Sequence, residues 1–129
     1  MANTKNIKPR HLEAKGEMDY DYVNNILFFK IKNREYSFSV EFQNMVIDID
    51  KEKFVVGIQI FDASNFLGIT KMNLREIPKW QFKAKIENNI LELRLNYQLK
   101  IRNRTIDRSP IIIQENKSEL LKPQMVSSY

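Results

Sequence analysis

The chain has 129 residues with 43% hydrophobic and 11% aromatic content, enough for one domain with a real core and too apolar for a disordered polymer. Cys is 0, so disulfides, thiolate metal sites, iron–sulfur ligation and cysteine nucleophiles are all excluded. Lys and Arg number 21 against 16 Asp and Glu, a mild basic excess of +5.

Residues 1–12 are polar and without period, and read as a loose N-terminus. Residues 13–114 read as a single β-rich domain, because the dominant hydrophobic period there is two. The fold class expected is mainly β (α+β): an antiparallel β-meander, one short helical segment, then a further long hairpin. Asn24-Asn25 suits a two-residue turn, since Asn tolerates positive φ. That turn pairs Tyr22 with Leu27, Tyr20 with Phe29 and Met18 with Ile31. A turn at Asn33-Arg34 would pair Ile31 with Tyr36, Phe29 with Phe38 and Leu27 with Val40. A turn at Gln43-Asn44 leads into Met45, Ile47 and Ile49. A four-residue turn over Asp50–Lys53 then sets Ile49 against Phe54, Ile47 against Val56 and Met45 against Ile58. Residues 15–61 thus read as a five-strand meander with one apolar face.

After Asp62 the period changes. Ser64 is placed to cap a helical turn over Asn65-Phe66-Leu67, ended by Gly68. Thr70 is placed to cap a helix over 71–77 with Met72, Leu74 and Ile77 inward, and Pro78 lies beyond it. Asn88-Asn89 then joins strands Trp80–Glu87 and Ile90–Arg104, setting Trp80, Phe82, Ala84 and Ile86 opposite Tyr97, Leu95, Leu93 and Leu91. Ile111-Ile112-Ile113 returns along the preceding strand. Residues 115–129 read as a loose C-terminus.

Tyr20-Asp21, Asn25 and Leu27-Phe28-Phe29-Lys30-Ile31 resemble the Y-D-x-x-x-D-x-L-Y-I-x-L opening of a small prokaryotic family, domain of unknown function 2283. Asp48-Ile49-Asp50 with Val55-Val56-Gly57-Ile58-Gln59-Ile60-Phe61-Asp62-Ala63-Ser64 is similar to its D-x-D-x-x-G-x-V-V-G-I-E-I-L-x-A-S signature. The resemblance spans residues 20–64 and thins toward 97. Asn25, Lys53 and Gln59 stand where the pattern has Asp, Gly and Glu. Two acidic positions of the family are therefore neutral here, which argues against their being obligatory ligands or acids. The resemblance implies no established activity, and partner-binding or antitoxin-like roles.

Chemistry is sparse. Asp48, Asp50 and Glu52 occupy positions 1, 3 and 5 of a calcium loop, but Lys53 and Gln59 stand where Gly and Glu are required. His11 is the single histidine and lies in the loose N-terminus. Asp19 with Asp21, or Asp21 with Asp48, would make a carboxylate pair for acid–base work, but each suits a solvated strand face, and Lys30 is expected opposite Asp19. Gly16, Gly57 and Gly68 are isolated, so no phosphate-cradling loop is written. Trp80 lies on the apolar side of its hairpin, as a core aromatic would. No catalytic, metal or cofactor-binding residue is assigned.

Two features stand out. Residues 1–67 hold 9 Lys/Arg and 10 Asp/Glu, while 68–129 hold 12 and 6, net +6. Lys83, Lys85, Arg94, Lys100, Arg102 and Arg104 are expected on one sheet face, a footprint for a polyanion. Second, Phe28, Val46 and Val55 point away from the first apolar face by period two, as does Ile90, and either a helix or another chain must cover them. The leading expectation is a non-enzymatic binding protein acting by protein–protein interaction, on itself or a small partner, through Phe28, Val46 and Val55. The alternative is a nucleic-acid-binding protein using the basic hairpin of residues 80–104. The N-terminal sequence has no apolar targeting stretch, and the longest apolar run is Ile26-Leu27-Phe28-Phe29, so a cytoplasmic location without membrane contact is expected.

Overall fold

The computed structural model of the chain describes residues 16–116. His11 and the segments 1–15 and 117–129 lie outside the described residues. Among those described, the protein is mainly β, with antiparallel sheets and two short helices. The first sheet holds β1 (Gly16–Asp21), β2 (Ile26–Ile31), β3 (Phe38–Phe42), β4 (Met45–Ile49) and β5 (Val55–Ile60). Two helices follow, α1 (Ala63–Leu67) and α2 (Lys71–Arg75). The second sheet holds β6 (Trp80–Glu87), β7 (Ile90–Ile101), β8 (Arg104–Arg108) and β9 (Ile111–Glu115).

The first sheet is not a simple meander. Its order is β1-β2-β5-β4-β3, so β2 pairs with β5 and the expected β2–β3 hairpin at Asn33-Arg34 does not form. Residues 32–37 instead cross the ends of β5 and β4 to reach the far edge, making a Greek key of β2 to β5. Ser37 N donates to Ile49 O at 2.7 Å where the crossover lands. Two registers also shift by two residues. Tyr20 faces Leu27 and Met18 faces Phe29, because the β1–β2 loop takes four residues, 22–25. Ile47 faces Ile58 and Met45 faces Ile60, with a bulge at Asp48/Ile49. Shifts of two keep side chains on their expected faces, whereas the bulge, a shift of one, moves Val55 to the core side.

The helices are short. Thr70 caps α2 by accepting from Asn73 N, as its position predicts. In α1 the cap position belongs to Asp62, not Ser64, and Gly68 ends it at φ 71. Leu74 and Ile77 are buried, but Met72 is exposed, because so short a helix turns few positions inward and Met72 lies two residues from Leu74.

The β6–β7 hairpin has the expected register throughout, Trp80 with Tyr97 to Ile86 with Leu91. Asn88 and Asn89 both take positive φ, 52 and 64, the requirement of a type I′ turn. The following strand is shorter than expected. Arg102 and Asn103 form a second such turn at φ 51 and 65, so Arg104 begins β8 rather than ending β7. The pairing of Leu99 with Ile106 keeps the apolar face continuous across it. β8 and β9 both line the same edge of β7 in one unbroken register, interrupted only at Ser109-Pro110. Pro110 has no N–H to give, yet its carbonyl accepts from Leu95 N at 3.1 Å. Glu115 lies in β9 rather than in a tail.

The two apolar faces form one core. Leu27, Phe29, Ile47, Ile58 and Ile60 of the first sheet meet Leu91, Leu93, Leu95 and Tyr97 of the second, joined by Ala63, Leu74 and Ile77. Phe29 stacks at 4.9 Å from Phe82 and 5.5 Å from Trp80, which in turn lies 4.4 Å from Tyr97. Each fully buried aliphatic side chain contributes about 1.5–3 kcal/mol. Trp80 is thus a core residue.

Candidate interaction surfaces

The signature residues of residues 20–64 have structural work. Tyr20 Oη donates to Asn25 Oδ1 at 2.6 Å, and Ser64 N donates to the same oxygen at 3.1 Å. Asn25 Nδ2 donates to Ser64 Oγ at 2.9 Å and to Asp62 Oδ1 at 3.2 Å. Ala63 N donates to Asn25 O at 2.9 Å. One side chain therefore fastens the β1–β2 loop to the start of α1. Burial, with the nearby Tyr22 and Asp21, raises the Tyr20 pKa. Asp21 accepts from Asn24 N and Nδ2, which lowers its pKa.

The acidic turn is equally structural. Burial pushes the Asp50 carboxyl up, but donation from Phe54 N, Arg34 and Glu52 N, with the Arg34 charge, outweighs it and the pKa is lowered. Asp48 points the other way, accepts from Ser39 Oγ at 2.6 Å, and lies over Gly57. Of the three carboxylates of the would-be calcium loop, Asp50 and Glu52 both pair with Arg34, and Asp48 is turned away to Ser39. Among the described residues no three His, Asp or Glu side chains gather as metal ligands. Lys53 takes φ 73, the left-handed conformation that explains the family's glycine there.

The outer face of the first sheet carries a cross-strand row Asp19, Phe28, Gln59, Val46, Glu41. Beside it runs Glu17, Lys30, Gly57, Asp48, Ser39. An open groove of about 320 Å³ lies over Phe28, Lys30, Asp48 and Gln59. Phe28 and Val46 are half-buried and separated by Gln59. Val55 is not part of this strip. The bulge sets it opposite Ile49, and it packs against the core. Neither helix is a lid over Phe28 and Val46, since the buried helical residues Ala63 and Leu74 belong to the core.

The six expected cations are brought together only in part. Lys83, Lys85 and Arg94 share the outer face of the second sheet, with Lys83 opposite Arg94 and Lys85 opposite Glu92. Lys100 stands on that face six positions along β7 from Arg94, about 20 Å away. Arg102 sits in the turn. Arg104 pairs with Ile101, which packs against the core, and so takes the opposite parity. Acids interleave: Glu92 holds Arg94 Nε at 3.2 Å, and Glu87, Asp107 and Glu115 occupy the same face.

That face also holds apolar residues that the basic reading overlooks. Ile111 lies next to Arg94, Ile113 next to Glu92, and Ile90 next to Glu115. Ile113 is 64% exposed, Ile111 52% and Ile90 42%. The signal is in the sequence: of three consecutive isoleucines on a strand, one faces in and two face out. Ile112 is the one that packs against the core. Every other edge strand presents charge or polarity outward: Glu17, Asp19 and Asp21 on β1, Ser39 and Glu41 on β3, Lys83 and Lys85 on β6, Thr105 and Asp107 on β8. Charges of this kind keep sheet edges apart. Among the described edge strands β9 alone presents isoleucine.

Residues 17–64 match the family described as "Protein of unknown function (DUF2283)". The chain is 28% identical over 90 residues to a Methanosarcina mazei protein with the provisional name of a hypoxanthine phosphoribosyltransferase, covering 70% of this chain and 73% of that protein. It is 26% identical over 113 residues to an uncharacterized protein of Methanocaldococcus jannaschii, covering 87% of this chain and 97% of that one. No solved structure matches it.

Proposed function

We propose that this chain is a non-enzymatic binding protein that works by protein–protein contact, and that its contact surface is the β9 edge with the adjoining outer face of the second sheet. The exposure of Ile111 and Ile113 on an edge strand carries this reading. An added strand would satisfy the open main-chain groups, and covering the exposed part of each isoleucine would contribute about 1–2 kcal/mol, a little over half the value for full burial. The strip of Phe28 and Val46 is the weaker surface, being half-buried already. The absence of cysteine supports a cytoplasmic setting, and no described helix is long and apolar enough to cross a membrane.

We propose no transferase activity for this chain, although one relative bears such a name. Gripping a phosphorylated ribose draws on clustered backbone N–H groups or a helix N-terminus. Here Gly16 and Gly57 lie in separate strands and Gly68 ends a one-turn helix. Asp21, Asp48, Asp50 and Asp62 are each engaged in contacts that hold the fold.

Two copies of the full chain with different tags, co-expressed in the source cell, test the reading. Purification through one tag should bring a protein, either the other tagged copy or a different chain, in near-stoichiometric amount. Ile111→Lys with Ile113→Lys should lose it. Recovery of nucleic acid in place of protein, or of nothing, would reject the proposal.

A further inference from the structure

Resting on that reading, we infer that the occupant of the β9 edge is a second copy of the chain, paired β9 to β9 in antiparallel fashion about a two-fold axis at Ile112. The main chain dictates which groups are free. Pro110 O accepts from Leu95 N, and Asn116 N donates to Asn89 O. Antiparallel pairs alternate between bonded and non-bonded positions. The even-numbered residues 110 to 116 therefore face β7, and the N–H and C=O groups of Ile111, Ile113 and Glu115 face the open edge. Among the described residues no strand pairs with that edge. The N–H that Pro110 lacks belongs to the β7 side, so the proline removes nothing from the edge.

The side chains select the partner and the register. With the axis at Ile112, Ile111 lies opposite the partner's Ile113, Ile113 opposite the partner's Ile111, and Ile112 opposite itself. Shifting the axis to Ile113 would set Ile111 against glutamate and Ile112 against glutamine. The axis at Ile112 also aligns Arg94, which flanks Ile111, with the partner's Glu92, which flanks Ile113. A homotypic contact through β1 or β6 would instead put carboxylates or ammonium groups opposite their own kind, which is destabilising. The contact is isologous and closes as a dimer. It joins the two second sheets into one, β6-β7-β9 continued by β9-β7-β6.

Sedimentation velocity of the full chain tests this. The wild type should run as a dimer, Ile113→Lys as a folded monomer with an unchanged circular dichroism spectrum, and Phe28→Glu as a dimer. Because Cys is 0, introduced thiols report register without background. An equal mixture of Ile111→Cys and Ile113→Cys should oxidise to the mixed dimer, since bonded pairs sit about 5.5 Å apart between Cα atoms, within disulfide reach. Either variant alone should cross-link far less, because like residues then lie diagonally about 7–8 Å or more apart. A wild type that stays monomeric at about 100 µM, well above micromolar dissociation constants, overturns the inference. Preferential cross-linking of either variant alone overturns the register. A monomer whose β9 edge still retains a different chain in the two-tag purification overturns only the second copy, whereas a monomer that retains nothing overturns the binding role as well.

Discussion

Arg34 and Asp50, separated by 16 residues, are joined by an ion pair that ties the crossover to the β4–β5 turn. The Arg34 guanidinium also lies 5.2 Å from the Phe54 ring centroid. Asp50 is buried, and its carboxylate organises both the turn and the crossover above it.

Asp50→Asn should therefore cost about 1.5–3 kcal/mol, the range for hydrogen bonds to a charged group. The Asp50 pKa is lowered in the folded protein, so its contribution is present above the unfolded value near 3.9 and is lost as pH falls through the folded value. Thermal melts of the wild type should weaken below about pH 4, and the Asn variant should show a smaller decline. Equal slopes for the two proteins would remove Asp50 from the acid response.

Asn25 combines a positive φ of 59 with its hydrogen bonds to Tyr20, Asp62 and Ser64. Asn25→Ala loses the bonds and strains the backbone, for an expected loss of about 2–4 kcal/mol. Asn25→Gly loses only the bonds and should cost about 1–2 kcal/mol less than the alanine. Urea midpoints of the three proteins give the order, and an alanine as stable as the glycine would contradict it.

These two networks also show where the sequence stops being readable. Period two tells which face a side chain takes, and the core residues Leu27, Phe29, Ile47, Ile58 and Ile60 follow from it. It cannot tell β3 from β5 as the neighbour of β2, because both offer alternating apolar residues. The choice is made by Arg34 reaching Asp50 and by Ser37 bonding Ile49, contacts with no local signature. The β6–β7 hairpin was legible because its two-residue turn leaves one face-preserving register of that length. The turn at Arg102-Asn103 was hidden by the arginine, which is not a turn-forming residue. The exposed pair Ile111 and Ile113 could be read from alternation, but only once β9 is known to lie at an edge.

A Cβ built on Gly57 would lie 2.7 Å from Asp48 Oδ2. Gly57→Ala should push that carboxylate away from Ser39 and cost about 1 kcal/mol, a typical hydrogen bond. In the Asp48→Ala background the same substitution should cost markedly less. Additive losses in a double-mutant cycle would show that the clash lies elsewhere.

Nucleic acid retention is not expected. Lys83, Lys85 and Arg94 share their face with Glu87, Glu92 and Glu115, and Arg104 takes the other parity. Mobility shifts of generic DNA and RNA at about 50 mM salt, a condition that favours phosphate contacts, should show no complex. A steeply salt-dependent complex would reinstate the basic hairpin as a working surface.

The crossover at residues 32–37 has a consequence in time. The second sheet is assembled from neighbours in the chain, with tight turns at 88–89 and 102–103. Hairpins of that kind close in about 1–10 μs. The β2–β5 seam, by contrast, brings Leu27 to Ile60 across the whole of β3 and β4 in the chain, and the loop entropy of that segment must be overcome first. The last seam to zip should be that one, with the Arg34–Asp50 pair as its latch. Chevron plots should therefore show Leu93→Ala slowing refolding and Ile60→Val mainly speeding unfolding. The same seam is then the first to part, so the chain opens from the first sheet while the β7–β9 ladder is still intact.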